Sequence, residues 1–169
     1  VHLWSHCGGK LVWDDAQAMF RPDTARPPTG ADGAGFVIAA GVANGHLRSA
    51  AVLADAVAAG KAAALAAGQA QDVTMAPLAV DAEEGPIAPV WMMPQGASYA
   101  LRSKTWLDFQ NDVKVTDVQL AAQEGFTSVE HAKRYTTLGM ATDQGKLSNI
   151  NGLAVLSNAL NTPIPNVGT

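Results

Sequence analysis

Two short strings, Lys133-Arg134-Tyr135-Thr136-Thr137 and Asp143-Gln144-Gly145-Lys146, are separated only by residues 138–142. They bring three cations, two threonine hydroxyls and an expected helix start to one short loop. Cations neutralise an anion and hydroxyls donate to its oxygens. A helix N-terminus adds backbone N–H groups under a positive dipole. That combination suits a phosphate-bearing ligand. Lys133 and Arg134 also fit a plainer role, complementing the negative end of the helix that carries them. The residue types leave both readings open.

A second candidate is Gly41-Val42-Ala43-Asn44-Gly45. It follows an apolar run over residues 35–41 and precedes an alanine-rich stretch. A strand, a small-residue turn and a helix in succession present backbone N–H groups to a phosphate or ribose. No Gly-x-Gly-x-x-Gly is present, and a turn that merely packs helix on sheet has the same composition. The four histidines are His2, His6, His46 and His131. His2 and His6 stand four apart in an expected strand, so they share a face and could pair on a metal or simply be solvated. Cys7 beside Gly8 is either reactive or incidental. It is the only cysteine, which excludes an internal disulfide and any site built from several thiolates.

The elements that must position these residues can be read in outline. The chain has 169 residues, 48% hydrophobic and 15% charged, with a formal net charge of −4. Low charge argues against a disordered tail, and the acidic balance argues against a nucleic-acid binder. The most apolar stretch, residues 49–67, contains Asp55 and Lys61 and is too short and alanine-rich to predict a membrane span. The chain opens on Val1 with no signal-peptide pattern, as an excerpt beginning inside a fold would. Residues 1–5 and 10–13 predict a hairpin turning at Gly8-Gly9. Residues 21–35 predict a loop. The run 35–41 predicts a strand buried on both faces, as in a parallel sheet. A helix is expected over residues 46–67.

Residues 68–98 predict an extended connector, punctuated by Pro77, Pro86, Pro89 and Pro94, with an acidic pair at Glu83-Glu84 and an apolar string at Val90-Trp91-Met92-Met93. A second unit follows, with a short strand at 106–109. Thr116 and Thr127-Ser128 predict the starts of helices over 116–124 and 128–135. Gly125 predicts a helix stop. Asp143 predicts the cap of a third helix over 144–160, and residues 161–165 predict an extended exit. This unit should fold alone. Residues 1–67 should not, because their sheet would expose its edges.

The string Glu130-His131-Ala132-Lys133-Arg134-Tyr135-Thr136-Thr137-Leu138-Gly139-Met140-Ala141-Thr142-Asp143-Gln144-Gly145-Lys146 resembles the alpha subunit of heterotetrameric sarcosine oxidase. Phe109-Gln110-Asn111-Asp112-Val113, His2-Leu3, Gly9-Lys10, Trp13-Asp14-Asp15 and the run from Gly35 to Gly45 carry the resemblance along the chain. The resemblance implies an α/β plus α fold. Residues 1–70 would be the C-terminal part of a Rossmann-like FAD/NAD(P)-binding domain, and residues 71–103 a Pro-rich connector. Residues 104–161 would form a small helical domain resembling the bacterioferritin-associated-ferredoxin-like [2Fe-2S] domain, with residues 162–169 as a tail.

The implied activity is oxidative demethylation of sarcosine to glycine, with hydrogen peroxide as product. The one-carbon unit passes to tetrahydrofolate or leaves as formaldehyde. In such enzymes NAD sits in the parent dinucleotide domain, FAD in the beta subunit and FMN at the alpha–beta interface. Beta, gamma and delta subunits are the implied partners, tetrahydrofolate binds a C-terminal domain outside this sequence, and the location is cytoplasmic. The resemblance assigns Arg134, Thr136, Thr137, Gln144 and Lys146 to FMN, and Gly41 and Val42 to the nucleotide turn. Val42 stands where flavin-binding relatives carry an acidic residue, which fits NAD there. Leu107, Asp108 and Phe109, and Asp143-Gln144-Gly145, stand near the cysteine pairs of cluster-binding relatives, so no iron–sulfur cluster is expected. No catalytic residue is assigned to this segment. Two rivals remain: a non-catalytic docking module, and the alpha subunit of a related amine or opine oxidase.

Overall fold

The computed structural model describes residues 1–69, 85–94 and 96–168, which form two units, 1–88 and 89–169. Pro77, Glu83 and Glu84 of the expected connector lie outside the described residues.

The N-terminal unit opens with a helix, not a strand: α1 spans His2–His6. A helical turn lets Trp4 fold back onto Gly9, where any side chain would collide with the indole, and Trp4 Nε1 donates to Lys10 O at 2.8 Å. The hairpin shifts accordingly. It joins β1, Leu11–Asp14, to β2, Met19–Pro22, antiparallel, with Trp13 opposite Phe20. The two rings meet edge to face at 5.0 Å.

The expected buried strand over 35–41 is also overturned. Its ladder stops at a single bridge between Thr29 and Gly35, and Phe36 and Ile38 are 59% and 53% exposed. A strand buried on both faces needs paired neighbours and covering helices. Among the described residues the chain supplies neither, and both sheets are two-stranded and antiparallel. A 3-10 turn at Gly41–Asn44 leads to α2, Ser49–Ala66. By length and composition α2 could cross a membrane, with 18 residues and a mean hydropathy of 1.4. It buries no residue against its own unit.

The C-terminal unit holds α3 (Tyr99–Arg102), β3 (Trp106–Asp108) and β4 (Val113–Lys114). These are followed by α4 (Val115–Gln123), α5 (Val129–Thr136), α6 (Asn149–Ala159) and α7 (Ile164–Val167). The expected starts at Thr116 and Thr127-Ser128 are close. At α4, Asp117 Oδ2 accepts the Lys114 N–H at 2.7 Å, half of a capping box. Ser128 precedes α5 without a side-chain cap. Gly125 ends α4 in a left-handed conformation, with Gly125 N–H donating to Ala122 O and Phe126 N–H to Ala121 O. That pair of bonds is the Schellman stop.

Two expectations fail here. The third helix begins at Asn149, not at residue 144, because Gln144 and Gly145 both take positive φ (54° and 73°) and cannot propagate a right-handed helix. Asp143 instead makes a local turn, its Oδ1 accepting the Gly145 N–H at 3.2 Å. The tail is not extended. Pro163 and Pro165 suit the start of α7, and Val167 is buried.

Helix α6 is the centre of this unit, packing on α4, α5 and α7 and burying all of residues 152–157. Among the described residues most buried apolar side chains lie in the C-terminal unit; the N-terminal unit buries Trp4, Pro22 and Pro28. The hydrophobic driving force is therefore concentrated in the C-terminal unit.

Candidate functional site

The loop between α5 and α6, residues 137–148, is set by its left-handed residues. Thr137, Gly139, Gln144 and Gly145 have φ of 62°, 67°, 54° and 73°. The two glycines let the ends of the loop touch. A Cβ on Gly139 would stand 2.9 Å from the Gly145 Cα, and on either glycine it would overlap the Asn149 side chain. The end carrying Thr136 and Thr137 thus meets the end carrying Gln144 and Lys146. Leu138, 1% exposed, anchors the loop against Gly152 of α6.

The carboxylate of Asp108, to which the sequence assigned no such role, holds this loop to the β3–β4 turn. Asp108 is 3% exposed. Its Oδ1 accepts the N–H groups of Gln110 (2.9 Å) and Asn111 (3.1 Å). Its Oδ2 accepts the Gly139 N–H (2.8 Å) and Asn111 Nδ2 (3.4 Å). Burial pushes its carboxyl up. The N–H donors of Gly139, Asn111 and Gln110 outweigh that and hold it below the usual 3.8. Asn111 Nδ2 donates across to Thr137 O, and Thr142 Oγ1 to Gln110 Oε1. Asp followed three residues later by Asn at a strand end is a turn signal. Its partner at Gly139 is 31 residues away and has no local trace.

The assigned residues divide. Arg134, Gln144 and Lys146 are exposed, and neither cation has an ion pair among the described residues. Thr136 and Thr137 are different. A hydroxyl has one proton to give. Thr136 donates its proton to Ala132 O (2.8 Å), and Thr137 donates its own to Thr136 O (2.6 Å). Both hydroxyls are thus engaged within the chain at the end of α5.

Gly41 and Val42 belong to the N-terminal unit and form a separate turn. The Gly41 N–H, expected to face a phosphate, donates to Asp55 Oδ2 at 2.7 Å. Asn44 Nδ2 reaches the same oxygen at 3.4 Å, and His46 Nε2 lies 3.6 Å from Asp55 Oδ1. Asp55 on α2 is thus the turn's internal anion, and Val42, 52% exposed, supplies no polar side-chain atom. His2 and His6 still share a face, now on a helix, with ring centroids 6.1 Å apart. No group of three or more metal-ligating side chains occurs among the described residues.

The C-terminal unit is a small mixed α/β domain with one buried-carboxylate junction and one cationic loop. Residues 102–169 match the family model described as the sarcosine oxidase A3 domain. The whole chain is 38% identical over 177 residues to a protein named sarcosine oxidase subunit alpha from Rhizobium meliloti (strain 1021). It is 36% and 37% identical, over 175 and 172 residues, to proteins of the same name from Corynebacterium sp. strains P-1 and U-96. The chain is homologous along its full length to a segment of these alpha subunits. It spans only 16–17% of their length.

Proposed function

We propose that this chain is a segment of a sarcosine oxidase alpha subunit, and that its α5–α6 loop holds the phosphate of FMN at a subunit interface. The observation that supports this is the meeting of the two loop ends at Gly139 and Gly145, which sets exposed Arg134, Gln144 and Lys146 around one closed loop inside the A3-matching region. Arg134 and Lys146 supply charge, and the Gln144 carboxamide supplies a neutral donor. Thr136, Thr137 and Asp108 fix the loop's shape without touching the ligand. Bound FMN would supply a flavin ring able to accept electrons.

In this reading the whole enzyme oxidatively demethylates sarcosine to glycine and forms hydrogen peroxide, passing the one-carbon unit to tetrahydrofolate or releasing formaldehyde. FAD and the reacting groups belong to a beta subunit, with gamma and delta subunits completing a cytoplasmic heterotetramer. The turn at Gly41 fits NAD poorly, since its amide is engaged by Asp55, so no contact of this chain with NAD is proposed. NAD is assigned to the longer protein.

The test is FMN stoichiometry in the assembled enzyme. Lys146→Ala and Arg134→Ala should each lower bound FMN, by about tenfold in affinity for a lost charge-assisted contact. Full FMN occupancy in the double variant would sink the assignment. It would also favour the second reading, a docking module, which rests on the exposed Phe109, Met140 and Leu147 of this unit (79%, 60% and 79%).

A further inference from the structure

The proposed function makes no use of His2 and His6. They stand four apart in α1, which places them on one face of the helix, about one turn apart. Both are exposed, and their ring centroids lie 6.1 Å apart with the planes tilted by 34°. Trp4 is two residues from each, on the other side of the helix. It is 5% exposed, its Nε1 donates to Lys10 O at 2.8 Å, and its O accepts the Gly9 N–H at 3.0 Å. Those contacts fix the rotation of α1 about its own axis, so the histidine face is held outward. Backbone bonds from Ser5 N–H to Val1 O (3.1 Å) and Cys7 N–H to Leu3 O (3.0 Å) close the turn between the two rings. Among the described residues neither imidazole is engaged in an ion pair.

We propose that His2 and His6 form a two-point chelate for one divalent cation of the nickel–copper–zinc class. A neutral imidazole offers one ring lone pair, which suits these metals and not the oxygen-seeking Mg²⁺ or Ca²⁺. A metal about 2.1 Å from one nitrogen of each ring holds the centroids roughly 5 Å apart. The rings therefore need to close by about 1 Å, a movement that side-chain rotation gives to exposed histidines. Cys7 follows His6 directly, yet no group of three His, Cys, Asp or Glu able to hold a metal occurs among the described residues. The site thus has two protein ligands, with water in the remaining positions. It lies in the N-terminal unit and does not depend on the FMN reading of the α5–α6 loop.

The experiment is a calorimetric titration of the 169-residue chain with nickel(II), zinc and magnesium chlorides, paired with NMR of the histidine ring signals during the zinc titration. One equivalent of Ni²⁺ should bind with a Kd on the order of 10–100 µM, more tightly than Zn²⁺, and Mg²⁺ should not bind. Zn²⁺ should shift the His2 and His6 ring signals together and leave those of His131 in place. His2→Gln and His6→Gln should each weaken Ni²⁺ binding about tenfold, because the second imidazole no longer binds intramolecularly. Both positions are exposed, so neither change disturbs packing, and unchanged far-UV circular dichroism checks this. Cys7→Ser and His131→Gln should leave the affinity as it was. The absence of a saturable Ni²⁺ site would overturn the proposal. So would binding that survives His2→Gln or His6→Gln, or binding lost in Cys7→Ser or His131→Gln, either of which marks adventitious uptake elsewhere on the chain.

Discussion

Asp108 is a single side chain with consequences across its unit. Four N–H donors converge on it, and one of them, Gly139, lies 31 residues away in sequence. Asp108→Ala would leave buried donors unmade, at about 1–3 kcal/mol each, so a loss of about 2–4 kcal/mol is expected in urea unfolding. Asp108→Asn should also destabilise, because its NH₂ would confront an N–H donor. The pH dependence follows from the sign of the shift. The folded carboxyl is held below 3.8, so its stabilisation is complete above that ordinary value and is lost as pH falls through the lower folded one. Acid titration of stability should therefore lose this component in Asp108→Asn. An unchanged acid limb would show that Asp108 is not ionised in the folded state. Tyr135 shifts the other way: its hydrogen bond to Glu124 raises its phenol above 10.0.

At the scale of elements, two helical glycines make opposite predictions. Gly152 lies in α6 against Leu138, and a methyl there would overlap the leucine side chain. Gly152→Ala should destabilise by about 1–3 kcal/mol through overpacking, despite alanine's better helix propensity. Gly60 lies in α2 with nothing within 4 Å of an added Cβ. Gly60→Ala should raise helicity and stabilise by about 0.5–1 kcal/mol. Thermal melts followed by circular dichroism distinguish the two. A stabilised Gly152→Ala would mean that Leu138 is not pinned there and that the loop is looser than its geometry indicates. The stop signal was legible at this scale: Gly125 ends α4 as its position predicts, through bonds that span three to five residues. The cap of α4 comes from Asp117 at Lys114, two residues before the start expected at Thr116.

At the scale of the whole molecule, the two units differ in what holds them. Among the described residues the C-terminal unit carries most of the buried apolar side chains, whereas α2 buries none. Hydrogen exchange should be slowest in α6 and α4 and fast along α2, and limited proteolysis should cut residues 1–88 before residues 115–160. Equal protection of the two units would contradict this distribution. The sequence by itself determined that helices lie near 116–124, 128–135 and 150–160, the stop at Gly125, the strand near Trp13 and the cationic composition of the loop. Each depends on neighbours a few residues apart, or on residue type alone. Tertiary structure decided the rest. It turned residues 2–6 into a helix by giving Trp4 the space beside Gly9, and left residues 35–41 without strand partners. It delayed α6 to Asn149 through two left-handed residues, and spent the Thr136, Thr137 and Gly41 protons inside the chain. Where a side chain's hydrogen bond goes depends on which groups folding brings within about 3 Å, and residue type and spacing do not encode that distance.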